Sequence, residues 1–310
     1  MATALVEDAH AVLPEAKITV LVRQGNDVFF KDHPFVHQVL VWDKTKAKYS
    51  ALLKMIATVR SNKFDCVLNI HRFAASGLIT ALSGALLRIG FHNNPLSFCY
   101  SHKVQHSTSS GLHEVDRNAA LLRSITDKPI KSKPKLYPTL EHKRGIEKYA
   151  AVKFITMSPQ SVWFTKTAPR NFWIDLIRAH KDWTIYLLGS GADREVCSAI
   201  ILEANVPHAI NLSGELSLME SAALMAKATM NFTNDSAPMH LCSALNAPVT
   251  AVYCSTIPDF GFGPLSDHSV ICETSEPLAC RPCGLHGHAQ CPKGHFSCGQ
   301  LDWRKIVIAS

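Results

Sequence analysis

The sequence predicts an α/β protein made of two parallel-sheet domains. Three observations carry that expectation. Short β-branched runs alternate with longer stretches whose apolar residues recur at helical spacing. The alternation fades once, in the basic, proline-bearing segment DKPIKSKPKLYPTLEHKR at 127–144, and then restarts. The 310 residues are 47% hydrophobic and 18% charged, enough apolar material for two cores and too much for a generally disordered chain. The expected domains are 1–140 and 150–310, the second ending in a cysteine-rich segment.

The elements follow in order. The chain opens with a helix-like stretch, MATALVEDAHAVL, and reaches its first buried strand at ITVLVR (18–23). VLVW (39–42) and CVLNI (66–70) read as further strands, with helical AKYSALLKMIATVRSNK between them. A doubly wound domain ordinarily opens with a strand, and the tight loop after it carries function. The helix-first order therefore leads us to expect a strand and its loop upstream of Met1; the alternative is a fold that starts with a helix. In the second half FITMS (154–158), TIYLLG (184–189), HAINLSG (208–214), TMNFTN (229–234) and VTAVYC (249–254) are candidate strands, mostly separated by helical stretches. Ligands of such sheets bind beyond the carboxyl ends of the strands, and a cleft between two such domains is the natural site.

Charge and composition exclude some classes. The net charge of +7 comes from 32 basic against 25 acidic residues. The excess is local: Lys131, Lys133, Lys135, Lys143, Arg144 and Lys148 lie between Lys128 and Lys153. A solvated linker is the plainer reading of that run. It lacks the interleaved aromatics of a single-strand binder, and no nucleic-acid module is recognisable, so no nucleic-acid partner is expected. No apolar run reaches the roughly 18–20 residues of a membrane span, and the N-terminus lacks a signal peptide's pattern, so a cytoplasmic protein is expected. Of ten cysteines, Cys280, Cys283, Cys291 and Cys298 crowd the C-terminus. In a reducing compartment that suggests metal or free thiols before disulfides.

Four stretches could carry chemistry. In TNDSAPMHLCSALNAP (233–248) Pro238 suits a helix's first turn, Asn246 a left-handed helix end, and Pro248 a stop. Asp235, Ser236 and Ala237 then sit at a helix N-terminus just past a strand, where unpaired N–H groups and the helix dipole favour an anion. His240, one turn on, can face the same anion. The competing reading is a simple helix cap with a surface histidine. In SPQSVWFTKTAP (158–169) Ser161, Thr165 and Lys166 could meet phosphate oxygens, although an ordinary polar loop has the same composition. In LLGSGADREV (187–196) Gly189 and Gly191 permit a tight turn, and Asp193 or Glu195 could accept from ribose hydroxyls. In CRPCGLHGHAQCPKGHFSC (280–298) the four cysteines, with His286, His288 and His295 nearby, could hold a structural zinc; buried free thiols are the alternative.

TNDSAPMHLCSALNAPVTAVY resembles the donor-binding motif of the ADP-heptose:lipopolysaccharide heptosyltransferases, a family of two Rossmann-like domains of the GT-B type facing a central cleft. Asp235, Ser236 and His240 match the family spacing. FGPL (262–265), CRPC (280–283), CPKGHFSC (291–298), NIHRFAASGLITALSGALLRIGF (69–91) and HEVDRN (113–118) are similar to segments of its bacterial members. The resemblance implies an inverting, direct-displacement transfer of heptose from ADP-heptose to a lipid-linked core oligosaccharide, with no cofactor required. It implies that Lys166 and the turn Ser236–Ala237 hold the diphosphate with His240 beside it, that Glu195 meets the ribose, and that the first domain, with Arg72, holds the anionic acceptor. A lipid-anchored acceptor also makes peripheral contact with the cytoplasmic face of the inner membrane plausible. Two departures stand out. The family glycine after the serine is Ala237, and the loop whose aspartate serves the family as general base would lie upstream of Met1. Asp8 is a poor substitute because it falls inside the first helix. The alternative function is therefore a catalytically impaired nucleotide-sugar-binding remnant.

Overall fold

Every strand pair among the described residues is parallel. Each connection must therefore cross over a sheet, and that puts a loop at the carboxyl end of every strand. The computed structural model describes residues 1–44, 48–128 and 132–308. The chain divides into two units, Met1–Tyr137 and Pro138–Ser310.

The first unit runs α1 (Ala2–Val12), β1 (Ile18–Arg23), β2 (Val36–Trp42), α2 (Lys48–Ser61), β3 (Cys66–Asn69), α3 (Ala74–Ala81), β4 (Leu87–Phe91), β5 (His102–Val104) and α4 (Glu114–Leu122). It holds two ladders, β1–β2 and β3–β4–β5. Leu40, Trp42, Met55, Ile56, Val59 and Ile79 make one apolar cluster, and Ile89, Phe91 and Leu121 another. Helix α1 turns acidic residues inward. Glu7 accepts from Tyr137 Oη (2.6 Å) and pairs with Lys135 (3.2 Å) and His33 (3.3 Å). Asp8 accepts the Ser132 N–H at 2.9 Å, and burial raises its pKa above the usual carboxylate value. Asp8 is thus a structural acceptor in the unit's interior. The basic segment is partly committed as well, since Lys128 Nζ donates to the Val12 carbonyl at 3.0 Å. Lys131 lies outside the described residues.

At the carboxyl end of β3, Asn69 is buried and sets the loop that follows. Its Nδ2 donates to Thr80 Oγ1 (3.0 Å) and Tyr100 Oη (2.8 Å), and its Oδ1 accepts the His71 N–H (2.9 Å). Gly90 beside it has no room for a side chain, because a Cβ there would lie 2.5 Å from Tyr100 Cε2.

The second unit continues with α5 (Leu140–Gly145), β6 (Phe154–Ser158), α6 (Arg170–Ala179), β7 (Thr184–Leu187), α7 (Arg194–Ala204), β8 (Ala209–Asn211), α8 (Leu218–Met225), β9 (Met230–Asn234), α9 (Ala237–Leu245), β10 (Val249–Tyr253) and β11 (Ser269–Glu273). Its single sheet has the order β11-β10-β9-β6-β7-β8. The chain starts in the middle at β6, winds to one edge, then returns to β9 and winds to the other. This is the doubly wound Rossmann order, and the order reverses between β6 and β9. All residues of β6, β9 and β10 are buried, as expected for strands covered on both faces. Ile155, Met157, Ile185, Leu187, Phe232 and Val252 from the sheet meet Trp173 and Ile177 of α6 in the main core.

Three strands were not anticipated: β4, β5 and β11. LRIGF carries an arginine and a glycine, HKV is three residues long, and SVICE lies at the sheet edge with one buried position. None presents an unbroken apolar run like VLVW at 39–42.

Phe232 is fully buried on β9 with His180 at 5.3 Å between ring centroids. Phe232→Ala is expected to lower the stability of the second unit by about 3–5 kcal/mol in urea denaturation followed by tryptophan fluorescence. A loss under about 1 kcal/mol would contradict the packing described.

Candidate functional site

The loops that leave β6 and β9 meet at the point where the strand order reverses, the place where open α/β sheets bind their ligands. Lys166 comes from the first loop and Asp235 from the second. Their side chains touch, with Nζ 2.6 Å from Oδ2, and both are mostly buried. Thr256, just past β10, donates its hydroxyl to the same oxygen at 2.7 Å. The Asp235 N–H is held by the Val252 carbonyl at 2.9 Å, so the residue still belongs to the sheet edge while its carboxylate faces the loops.

One residue earlier, Asn234 does work that sequence reading missed. It is fully buried. Its Nδ2 donates to the carbonyls of Pro159 (2.9 Å) and Ser158 (3.3 Å), and its Oδ1 accepts the Ala168 N–H (3.0 Å). Both ends of the 158–169 loop are thereby fastened to the end of β9. The only available signal was an asparagine at the end of a buried strand, MNFTN, whose polar residues Asn231, Thr233 and Asn234 alternate with Met230 and Phe232.

Helix α9 starts as the sequence suggested. Ser236 is extended at the N-cap, Pro238 sits in the first turn, and Asn246 closes the helix in the left-handed region. The Ser236 side chain makes no capping bond to the helix and instead approaches the Asn234 carbonyl at 3.4 Å. Ala237 is exposed, and Ser236 and His240 are half-buried. Pro238 has no N–H and the Met239 N–H donates to the Ser236 carbonyl (3.2 Å), so the donors offered to an anion beside the Lys166–Asp235 pair are the N–H groups of Ser236 and Ala237.

The other expected residues are placed as follows. Ser161 is half-buried in the same loop as Lys166. Thr165 differs from expectation: it is 1% exposed, and its hydroxyl oxygen accepts from the His288 N–H (2.8 Å) and from Ser255 Oγ (3.0 Å). Glu195 is exposed in the first turn of α7, beyond the carboxyl end of β7. Its rival Asp193 is engaged in a local cap, accepting from the N–H and Oγ of Ser190 at 2.7 Å each. Arg72 is exposed on the loop between β3 and α3 of the first unit. The FGPL segment is held by β10 and α9: Tyr253 Oη at the end of β10 donates to the Phe262 carbonyl (3.2 Å), and the Leu265 N–H donates to Ser243 Oγ of α9 (3.0 Å).

The expected zinc site of Cys280, Cys283, Cys291 and Cys298 is corrected. Among the described residues no group of three or more His, Cys, Asp or Glu side chains could hold a metal ion, and all ten cysteines are free. The thiols are used otherwise. Cys298 is buried with the main core, and burial pushes its pKa up to about 11. Cys283 Sγ donates to the Cys280 carbonyl at 3.0 Å. Cys291 is the exception, its pKa lowered by backbone N–H groups, that of Phe296 first and then those of Lys293, Gly294 and His295.

Residues 52–289 match the family described as Glycosyltransferase family 9 (heptosyltransferase). Lipopolysaccharide heptosyltransferase 3 of Escherichia coli is 23% identical over 271 residues, covering 83% of this chain and 80% of that protein. Lipopolysaccharide heptosyltransferase 2 of Escherichia coli (strain K12) is 29% identical over 154 residues, 45% of this chain and 43% of that protein. Among solved structures, E. coli ADP-heptose LPS heptosyltransferase II superposes with a TM-score of 0.76 at 20% identity, over 91% of this chain and 90% of that one. E. coli heptosyltransferase WaaC with ADP superposes with a TM-score of 0.72 at 20% identity, over 87% of each chain.

The thiol environments predict an order of reactivity. Iodoacetamide should label Cys291 first in the native protein, whereas Cys242 and Cys254, buried and shifted well above the ordinary thiol value, should react only on unfolding. Peptide mass spectrometry after brief labelling reads this directly; early modification of Cys254 would contradict it.

Proposed function

This chain belongs to glycosyltransferase family 9, the heptosyltransferases, and from that premise we propose that it moves a heptose from an ADP-sugar to a lipopolysaccharide core acceptor. In this reading the second unit binds the donor. Lys166, the N–H groups at Ser236–Ala237 and His240 receive the diphosphate, Ser161 adds a hydroxyl from the Lys166 loop, and Glu195 meets the ribose. The first unit, with Arg72, receives the anionic, lipid-linked acceptor. That acceptor brings the protein to the cytoplasmic face of the inner membrane as a peripheral visitor. None of the helices among the described residues is long and apolar enough to cross a membrane.

The observation that carries the donor reading is the Lys166–Asp235 contact beside the start of α9, at the reversal point of the sheet. An ammonium has three N–H donors. Asp235 takes one and aims the group, leaving two for phosphate oxygens. A carboxylate so close to a diphosphate would repel it if unpaired, so Asp235 must stay tied to Lys166 and Thr256 while the anion binds. The chemistry follows from charge. In an inverting displacement the acceptor hydroxyl gives up its proton to a general base and its oxygen attacks the anomeric carbon as the bond to ADP breaks, so negative charge grows on the departing diphosphate. A lysine and fixed backbone dipoles placed there favour the transition state over the ground state. Ala237 keeps the backbone donor of the family glycine while narrowing its conformational range. A fold relative solved with ADP, WaaC, supports the choice of nucleotide.

The test is calorimetric titration with ADP-heptose against UDP-glucose, followed by a transfer assay. ADP-heptose is expected to bind selectively and more weakly to Asp235→Ala. Lys166→Ala is expected to lower kcat/KM by roughly 100- to 1,000-fold. Equal binding of both nucleotide sugars, or unimpaired binding by Lys166→Ala, would overturn the reading.

A further inference from the structure

The cysteine-rich segment has no part in the reading above, yet it touches both loops that hold Asp235. We propose that Arg281–His288 is a strap that positions Lys166, with Thr165, Gly287 and His288 as positioning residues. The inference rests on the donor-site reading of Lys166.

One end of the strap is fixed just past β10. Arg281 Nε donates to the Cys254 carbonyl (2.7 Å) and its NH2 group to the Thr256 carbonyl (2.9 Å), while Glu273 pairs with it at 2.6 Å. The Cys283 N–H donates to the Ser255 carbonyl at 3.0 Å. Three successive residues, Cys254 to Thr256, are thus gripped from one side. The other end is fixed to the Lys166 loop. The His288 N–H donates to Thr165 Oγ1 (2.8 Å), and the Thr165 N–H donates to the His288 carbonyl (3.1 Å). His288 Nε2 donates to the Cys283 carbonyl at 2.7 Å, which closes the strap on itself. Between the two anchors Ser255 donates its N–H to the Thr165 carbonyl (3.1 Å) and its hydroxyl to Thr165 Oγ1 (3.0 Å).

The neighbours of these two residues are the ones that matter. Lys166 follows Thr165 and Thr256 follows Ser255, and both hold the Asp235 carboxylate. The strap therefore sets the distance between the two groups that clamp Asp235. Gly287 adds a steric element. A Cβ there would lie 2.4 Å from Trp163 Cβ and 2.8 Å from Lys166 Cγ, so the strap backbone is the wall along which the lysine stem runs. A lysine stem has many rotamers to lose on binding a ligand. A wall that removes most of them beforehand favours binding through preorganisation.

The experiment is calorimetric titration of the full chain with ADP, with melting temperature recorded for each variant. Lys166→Ala should weaken ADP binding by tenfold or more, roughly the effect of losing a charged phosphate contact. Gly287→Ala and Thr165→Val should weaken it roughly five- to tenfold, with Thr165→Ser restoring the hydroxyl and the affinity. In a Lys166→Ala background, Thr165→Val should add little, because its effect passes through the lysine. If Thr165→Val does not fold, His288→Ala takes its place, since it opens the clasp on Cys283 and leaves both backbone bonds to Thr165 intact. Unchanged binding by Lys166→Ala defeats the donor-site reading. Weakened binding by Lys166→Ala together with normal binding by Gly287→Ala and His288→Ala defeats the strap alone. So does a Thr165→Val loss that is undiminished when Lys166 is absent.

Discussion

The candidate site depends on one buried carboxylate. Asp235 is 5% exposed, and an unpaired charge at that depth would cost several kcal/mol. The protein answers with two donors to one oxygen, Lys166 Nζ and Thr256 Oγ1, drawn from loops far apart in sequence. Each loop is thereby pulled to the same point above the sheet. The carboxylate acts as the registration mark for the loops that leave β6 and β10, and the start of α9 is placed beside them because Asp235 directly precedes its cap. The cost of burying the charge is what makes the geometry specific: neither partner can swing away without leaving it exposed to a poor environment.

Buried amides do the same for the backbone. Asn234 fastens both ends of the 158–169 loop, and in the first unit Asn69 shapes the turn ahead of Arg72 through Thr80, Tyr100 and the His71 N–H. In each case an asparagine ends a strand, where the ladder no longer satisfies neighbouring backbone groups. Its side chain offers two donors and an acceptor and so replaces a missing strand partner. Asn231, on the same strand as Asn234, extends the pattern: it accepts from Thr156 Oγ1 at 2.6 Å and donates to the Pro248 carbonyl at 2.8 Å. Rigid strand ends are a precondition for placing a lysine to within a fraction of an ångström.

Much of this was legible in the sequence, for identifiable reasons. ITVLVR and FITMS coincide with β1 and β6 because short runs rich in β-branched and apolar residues stand out; β6 is buried along its whole length, whereas β1 is half-buried. Pro238 and Asn246 marked the two ends of α9 because their backbone constraints are local. The Lys166–Asp235 contact was not derivable in that way. It joins residues 69 positions apart in sequence and exists only because β6 and β9 are neighbours in the sheet. Thr165 was misread for the same reason. A hydroxyl beside a lysine in a polar loop suits a phosphate, and only the docking of residues 280–288 shows that it faces inward.

The cysteine-rich segment shows how composition can point to the wrong chemistry. Cysteine and histidine crowded into nineteen residues suggest a metal site, since both are metal ligands. A tetrahedral site, however, needs its side chains to converge, and this segment spends its polar groups elsewhere. His288 clasps a carbonyl, Cys283 donates to another, and Cys298 turns into the apolar core. The groups that bind the rest of the protein are chiefly backbone N–H and carbonyl groups, together with Arg281. A segment that attaches through its backbone can follow the shape of the loops beneath it. Gly287 is the position where that fit is tightest, and there the absence of a side chain, rather than the presence of a ligand, is what the site requires.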